Sequence, residues 1–302
     1  MKKFIVMAAI VLSTVACSND SELTNVVANQ KETAPVSVRV NDFSITTEEM
    51  PSGGGMTRAA QDPATYNLVG ALDLAFFDAE GTKVYTSTQI KSDGSTYTTF
   101  GQFTANLPVG TYTMVAVGYA YYEGDAFTLT SPTSAGFTSE RPRETFCATQ
   151  NVTVTSASAL DLDVTLNRIS SWLCIQSTDN RPAGIAKIRT TYAKGGKSFN
   201  PTTGLATSDA GFAQTNTPSA AIGSAVMFSS YPFLATDEEN INVTIQVLDA
   251  GDNVLFAHTV NNVPFKRNRK TTLRGNIFTA GTSSAGFQLE TSWLTDADPI
   301  NF

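Results

Sequence analysis

From residue 67 onward the chain is a succession of short apolar runs, many of them alternating, cut at intervals of roughly 8–12 residues by Gly, Pro and Asp turns. Residues 68–77 lead through Asp78-Ala79-Glu80-Gly81 into 83–88, the pattern of a hairpin. Residues 97–107 form a further strand region, and Pro108-Val109-Gly110 turns into 111–117. Residues 128–158 are loop-rich with two or three short strands, after which Leu160, Leu162, Val164 and Leu166 alternate. No window of a dozen residues carries a 3.6-residue apolar period with caps. A chain patterned this way is confined to all-β architectures, and the strand spacing predicts sandwiches rather than α/β layers.

Ahead of this body lie three different segments. Lys2 and Lys3 precede a short apolar stretch, residues 4–15, too few to span a hydrocarbon layer of about 30 Å, so residues 1–16 read as a secretory signal. Thr14-Val15-Ala16-Cys17 resembles a bacterial lipobox, with Thr14 where Leu is commonest; the Cys17 thiol would carry the lipid. Polar residues 18–34 read as a tether. Val36, Val38 and Val40 then alternate with polar residues, and the apolar face continues through Phe43 and Ile45, as in a half-buried strand. Pro51-Ser52-Gly53-Gly54-Gly55 predicts an exposed loop, and the stretch that follows, with a lone Arg58 before Ala59, is expected to be flexible.

Charge and chemistry exclude several functions. The 302 residues carry 27 Asp+Glu against 20 Lys+Arg, a net charge of −7, and losing Lys2 and Lys3 takes it to −9. Nucleic acid is therefore not an expected partner, because phosphate binding needs a basic surface. One His in the whole chain is too few for Ser-His-Asp or multi-His metal chemistry. His258 sits in a strand and reads as structural. No P-loop, nucleophile elbow, zinc-protease or dinucleotide motif is present, so no catalytic residue, cofactor or metal is expected. Glu48-Glu49 and Glu238-Glu239 read as solvated turn charges, and 249–253 as a hairpin turn rather than a Ca²⁺ loop. The cluster Lys266, Arg267, Arg269 and Lys270 is either a patch for an acidic partner or a charged strand edge. Cys147 and Cys174 lie in apolar strand-like stretches, where they either pair as a disulfide or stay small buried hydrophobes.

A faint internal echo supports two domains. Residues 75–85 and 246–256 both read as strand, Asp-Ala turn with Gly, then strand. A boundary is expected between Asn167 and Arg168, giving 1–16 as signal, 17–58 as tether and first strand, 59–167 as one sandwich and 168–302 as another.

The ordered set of lipobox, N-terminal strand, Thr57-Arg58-Ala59, residues 72–78, residues 107–117, the strand ending at Arg168, and residues 267–277 resembles the fimbrillin superfamily of Bacteroidetes, fimbrial subunits exported as lipoproteins. The resemblance covers nearly the whole chain. It implies two transthyretin-like antiparallel β-sandwich domains and a structural rather than enzymatic role. It also implies anchoring in the outer membrane through a lipid on Cys17, and cleavage at Arg58-Ala59 by a trypsin-like protease. The strand bearing Val36, Val38, Val40, Phe43 and Ile45 would then leave. Other fimbrial subunits would be the partners in an extracellular fimbrium, with Phe287, Leu289, Trp293, Ile300 and Phe302 as the candidate donor strand. The acidic residues Asp296 and Asp298 with Pro299 depart from a long donor strand and leave a tip or anchor subunit open. A non-polymerising surface lipoprotein that binds a glycan or host ligand is the competing reading.

Overall fold

The computed structural model describes residues 32–47, 57–91, 99–124, 126–279 and 287–293, and every regular element among them is a β-strand. The first ten are β1 (Thr33–Thr47), β2 (Thr57–Gln61), β3 (Ala71–Phe77), β4 (Lys83–Ile90), β5 (Gln102–Pro108), β6 (Gly110–Tyr119), β7 (Phe127–Ser131), β8 (Ser134–Phe137), β9 (Thr145–Val154) and β10 (Leu160–Arg168). The rest are β11 (Trp172–Ser177), β12 (Lys187–Tyr192), β13 (Ser198–Asn200), β14 (Leu205–Ala206), β15 (Phe212–Asn216), β16 (Met227–Ser230), β17 (Glu238–Leu248), β18 (Val254–Lys266), β19 (Arg269–Gly275) and β20 (Gln288–Trp293). The chain is all-β, as the alternation requires.

Eight strands of the N-terminal half form one sheet in the order β2-β1-β10-β9-β6-β3-β4, with β5 pairing the same edge of β1 as β2. It bends into two leaves. The corner is narrow: β10 meets β9 only at Asn167 and Arg168, opposite Cys147 and Phe146. Inward residues of both leaves fill a single core, including Val36, Val38 and Phe43 from β1, Phe103 and Leu107 from β5, Leu72 and Phe76 from β3, and Leu166 from β10. The far side is closed by side chains: Gln89 Nε2 donates to Gln102 O (2.6 Å) and Tyr85 Oη to Thr104 O (3.0 Å).

The C-terminal half stacks β16-β11-β19-β20 on β15-β12-β17-β18, with Leu173, Ile175 and Leu273 facing Ile188, Val243 and Ile245 across a second core. The hairpins β3–β4 and β17–β18 share one turn chemistry. Asp78 Oδ1 accepts from Glu80 N and Thr82 N, and Asp249 Oδ1 accepts from Gly251 N and Asn253 N. Gly81 (φ 78°) and Asp252 (φ 64°), each three residues after the Asp, take the left-handed position these turns demand.

A small fourth sheet, β14-β13-β8-β7, crosses the expected division at 167/168, because β8 of the first half pairs with β13 of the second. It covers the outer face of β3 and β6. That is why these strands read as continuous apolar runs: Leu72, Leu74 and Phe76 enter the first core, while Ala75, Phe77, Val115 and Val117 pack with Phe137, Phe199 and Phe233. Both halves belong to one compact unit, Glu32–Phe302.

Candidate functional site

The strand expected to leave, β1, is the most embedded strand of the first sheet. Its alternating valines place Val36, Val38 and Val40 inward, all buried. The apolar face then shifts from even to odd positions, since Phe43 and Ile45 follow Val40. A bulge between Val40 and Asp42 absorbs the extra residue, and Phe43 is fully buried. Ile45 is described by its backbone, which pairs with Ala59.

Three neighbours hold β1. It runs parallel to β10 from Val36 opposite Leu160 to Ser44 opposite Asn167. On its other side residues 33–39 pair antiparallel with β5, and residues 43–47 with β2. Among the described strands, β5 has no ladder partner besides β1, and β10 has only the corner with β9. Taking β1 away would leave three strands, β2, β5 and β10, with bare edges, an arrangement that demands replacement pairing.

Phe43 ties β1 to the junction of the two halves. Its ring lies 5.1 Å from Phe146 and 5.7 Å from Tyr66, and those two meet edge-on at 5.8 Å. The Phe43 ring fits against Gly118 in mid-β6, where a Cβ would lie 2.9 Å from Phe43 Cε1. Above the aromatic group, the Arg168 guanidinium stands 4.9 Å from the Phe146 ring centre. It is buried, and its Nη2 meets Glu144 Oε1 at 2.6 Å and donates to Tyr66 Oη at 2.8 Å. Nη1 donates to Asn268 Oδ1 of the second half at 3.2 Å. Burial alone would lower the Arg168 pKa, but the Glu144 carboxylate and Tyr66 oxygen outweigh it and hold the cation firmly charged. Tyr66 and Glu144 carried no signal in the sequence, because the network joins residues 78 to 102 positions apart.

The remaining expectations fall as follows. Arg58 and Ala59 are not in a flexible stretch: they lie in β2, with Arg58 opposite Thr46 and Ala59 opposite Ile45. The stretch has no apolar alternation of its own and is a strand because the tail of β1 offers it a free edge. β2 ends the sheet, so it is held on one side only. Cys17, Glu48, Glu49, the Gly-rich loop, Ile300 and Phe302 lie outside the described residues. Phe287 packs on the second core beside His258, at 5.8 Å between ring centres, and Leu289 and Trp293 belong to β20, which pairs with β19 of its own chain.

Cys147 and Cys174 are not joined: both are free thiols, each buried in a different cluster. Cys147 packs with Phe137 and Phe199 under the fourth sheet and Cys174 with Trp172 and Tyr231, so the two serve as small core residues. Burial pushes the Cys147 thiol up to about 12. His258 is buried, with Nε2 at 3.2 Å from Ile277 O. The basic cluster is internally matched: Lys266 faces Glu238 at 3.3 Å, Arg267 faces Asp237 at 2.6 Å, and Lys270 covers the Trp172 ring at 4.3 Å. No group of metal-ligating side chains occurs among the described residues, and no helix among them is long and apolar enough to cross a membrane.

The chain is similar to several solved structures. A candidate adhesin from Bacteroides ovatus is 10% identical, with a TM-score of 0.48 over 82% of this chain and 88% of that one. The fimbrial anchor protein Mfa2 from Porphyromonas gingivalis is 10% identical, with a TM-score of 0.46 over 81% of this chain and 91% of that one. A fimbrial assembly protein from Parabacteroides distasonis is 12% identical, with a TM-score of 0.38 over 86% and 94%. No curated protein matches the sequence. Residues 32–297 match the model of a family of unknown function, DUF6562, and the chain belongs to that family.

Proposed function

We propose that the chain is a non-catalytic component of a cell-surface fimbria that serves adhesion. In this reading it is exported as a lipoprotein anchored to the outer membrane through Cys17 and cut between Arg58 and Ala59 by a trypsin-like protease. It then joins other fimbrial subunits by exchanging β1 for a strand of a neighbour. The domains are residues 59–167 and 168–302, and residues 17–58 form a removable plug.

The observation that carries this reading is the ladder of β1. One strand closes both β5 and most of β10, and it buries five apolar side chains, Ala34, Val36, Val38, Val40 and Phe43, in a single core. At about 2 kcal/mol for each buried side chain, its departure opens a groove that a donor strand with the same alternation refills. The edge position of β2 adds a route for cutting: the Arg58 backbone is released by breaking pairing on one side alone. A protease that binds extended substrate needs that release.

A second reading, a tip or anchor subunit or a surface lipoprotein that does not polymerise, is favoured by β20. That strand is engaged with β19, so its use as a donor requires it to detach from its own sheet first.

Limited trypsin digestion of the folded chain beginning at Ser18 separates the two. The first reading expects cutting after Arg58, loss of the released fragment and a ladder of denaturant-resistant oligomers, all abolished by Arg58→Ala. A clean monomer under all conditions leaves the second reading. Assembly that persists in Arg58→Ala removes processing from the account.

A further inference from the structure

The two halves enclose a cleft of about 880 Å³ behind the corner of the first sheet. Its walls are the outer faces of β9 and β10, the loop 201–204 and the turn 266–269. The volume lies within the range of about 300–1,000 Å³ typical of small-molecule sites. Two polar atoms in its lining, Ser44 Oγ and Arg168 Nε, belong to side chains more than nine-tenths buried, and neither has a hydrogen-bond partner among the described residues. Such groups are costly when left alone, and a small shift of either side chain toward the cleft would give it a partner there.

The chemistry of the lining narrows the guest. Three of the four cations present, Arg168, Lys266 and Arg267, already sit on Glu144, Glu238 and Asp237 at 2.6–3.3 Å. A site whose charges are matched from within has little left to attract an anion. No aromatic side chain is among the described lining residues, which disfavours a flat heterocycle, and the few apolar ones do not form a wall for a lipid. Beside the charged groups, which include Asp163 and Arg269, the lining holds hydroxyls and amides, among them Thr165 and Asn167 on the exposed face of β10 and Gln150 on β9. These offer donors and acceptors side by side, as a ring of hydroxyl groups requires.

We propose that this cleft is a binding site for a neutral saccharide, read through its hydroxyl edges by Ser44, Thr165, Asn167 and Arg168. Ser44 belongs to β1, so the site is complete only while that strand is in place, and the uncut chain is the form that binds.

The test is a screen of the chain beginning at Ser18, uncut, against immobilised neutral oligosaccharides of hexoses and N-acetylhexosamines, with uronate-containing and sulfated oligosaccharides alongside. Calorimetry on the best binder follows. Asn167→Trp places a large side chain in the cleft at an exposed position. Asp161→Trp places it on the same face of β10 outside the cleft and serves as control. The expected result is binding of a neutral oligosaccharide, insensitive to salt, weakened at least about tenfold by Asn167→Trp and unchanged by Asp161→Trp. No binding to any oligosaccharide, binding confined to the acidic ones, or equal effects of the two variants in chains with unaltered circular dichroism would overturn it.

Discussion

Gly118→Ala tests how tightly β1 is fitted into its sheet. The added methyl would stand 2.9 Å from Phe43 Cε1, 3.1 Å from Leu72 Cδ2 and 3.3 Å from Leu166 Cδ1, all closer than ordinary contact. Phe43 has no room to retreat, because Phe146 and Tyr66 pack against its ring. Overpacking of this kind costs about 1–3 kcal/mol. Phe43→Leu shortens the offending side chain and by itself should cost about 1–2 kcal/mol, short of the 3–5 for truncation to Ala. If the three-way contact is as described, the new methyl fills the space the ring gave up. The double variant then costs no more than Phe43→Leu alone, a favourable coupling of about 1–3 kcal/mol. Trp172 and Trp293 both lie in the C-terminal half, so fluorescence misses this change. Urea unfolding should be followed by hydrogen exchange of peptides from β1 and β10. Gly118→Ala should also speed tryptic cutting at Arg58, by about tenfold for each 1.4 kcal/mol that β1 loses. Costs that add within about 0.5 kcal/mol would refute the packing argument.

Four further expectations follow from the core and the junction. Glu144→Gln leaves Arg168 as a buried cation without its carboxylate and should cost about 3–5 kcal/mol, with Arg168→Met in addition recovering most of it; calorimetry of the single variant should show the two halves melting apart. Gly136→Ala should cost about 1–3 kcal/mol and raise exchange at 198–200, because its methyl would meet Ser198 Cα at 2.6 Å where β8 and β13 cross. The Cys147 thiol, pushed up to about 12 from 9.0, keeps its proton when the unfolded thiol has lost it. The unfolded state thus binds fewer protons between those values, so stability falls as pH rises through that window, by up to about 1.4 kcal/mol per unit. Cys147→Ala should flatten the decline in urea midpoints above about pH 9. In the chain from Ser18, a thiol reagent should find two reactive thiols after unfolding without any reductant, and one or none would count against the separate burial of the pair.

The sequence made local features readable and long-range ones opaque, and particular residues show why. The hairpins β3–β4 and β17–β18 were legible because Asp78 and Asp249 write their turns within five residues. The inward face of β1 was equally plain, and the slip from Val40 to Phe43 encoded its bulge. The fourth sheet does leave a signal: two-faced apolar runs such as 114–117 belong to strands covered on both sides. The parallel pairing of β1 with β10 had none, since backbone groups pair with any strand that arrives in register. The strand at Arg58 depends wholly on its neighbour. Cys147 and Cys174 sit in stretches equally fit for a disulfide or a core, and only their placement in separate clusters decides between the two.

The neighbours of β1 also fix when it folds. β3, β4, β6 and β9 pair antiparallel with one another, and β3 meets β4 through one short turn, so that leaf assembles from mostly nearby chain. Val36 must wait for Leu160, 124 residues downstream, before its parallel ladder exists. Loop closure over that distance is slow, and β1 is synthesised before its partner. The strand made first is thus docked last, and its unpaired wait is the interval in which the chain is most exposed to wrong pairing with a neighbouring copy. Removing β1 reverses the final step of folding, which leaves the leaf formed earlier with its own pairing complete.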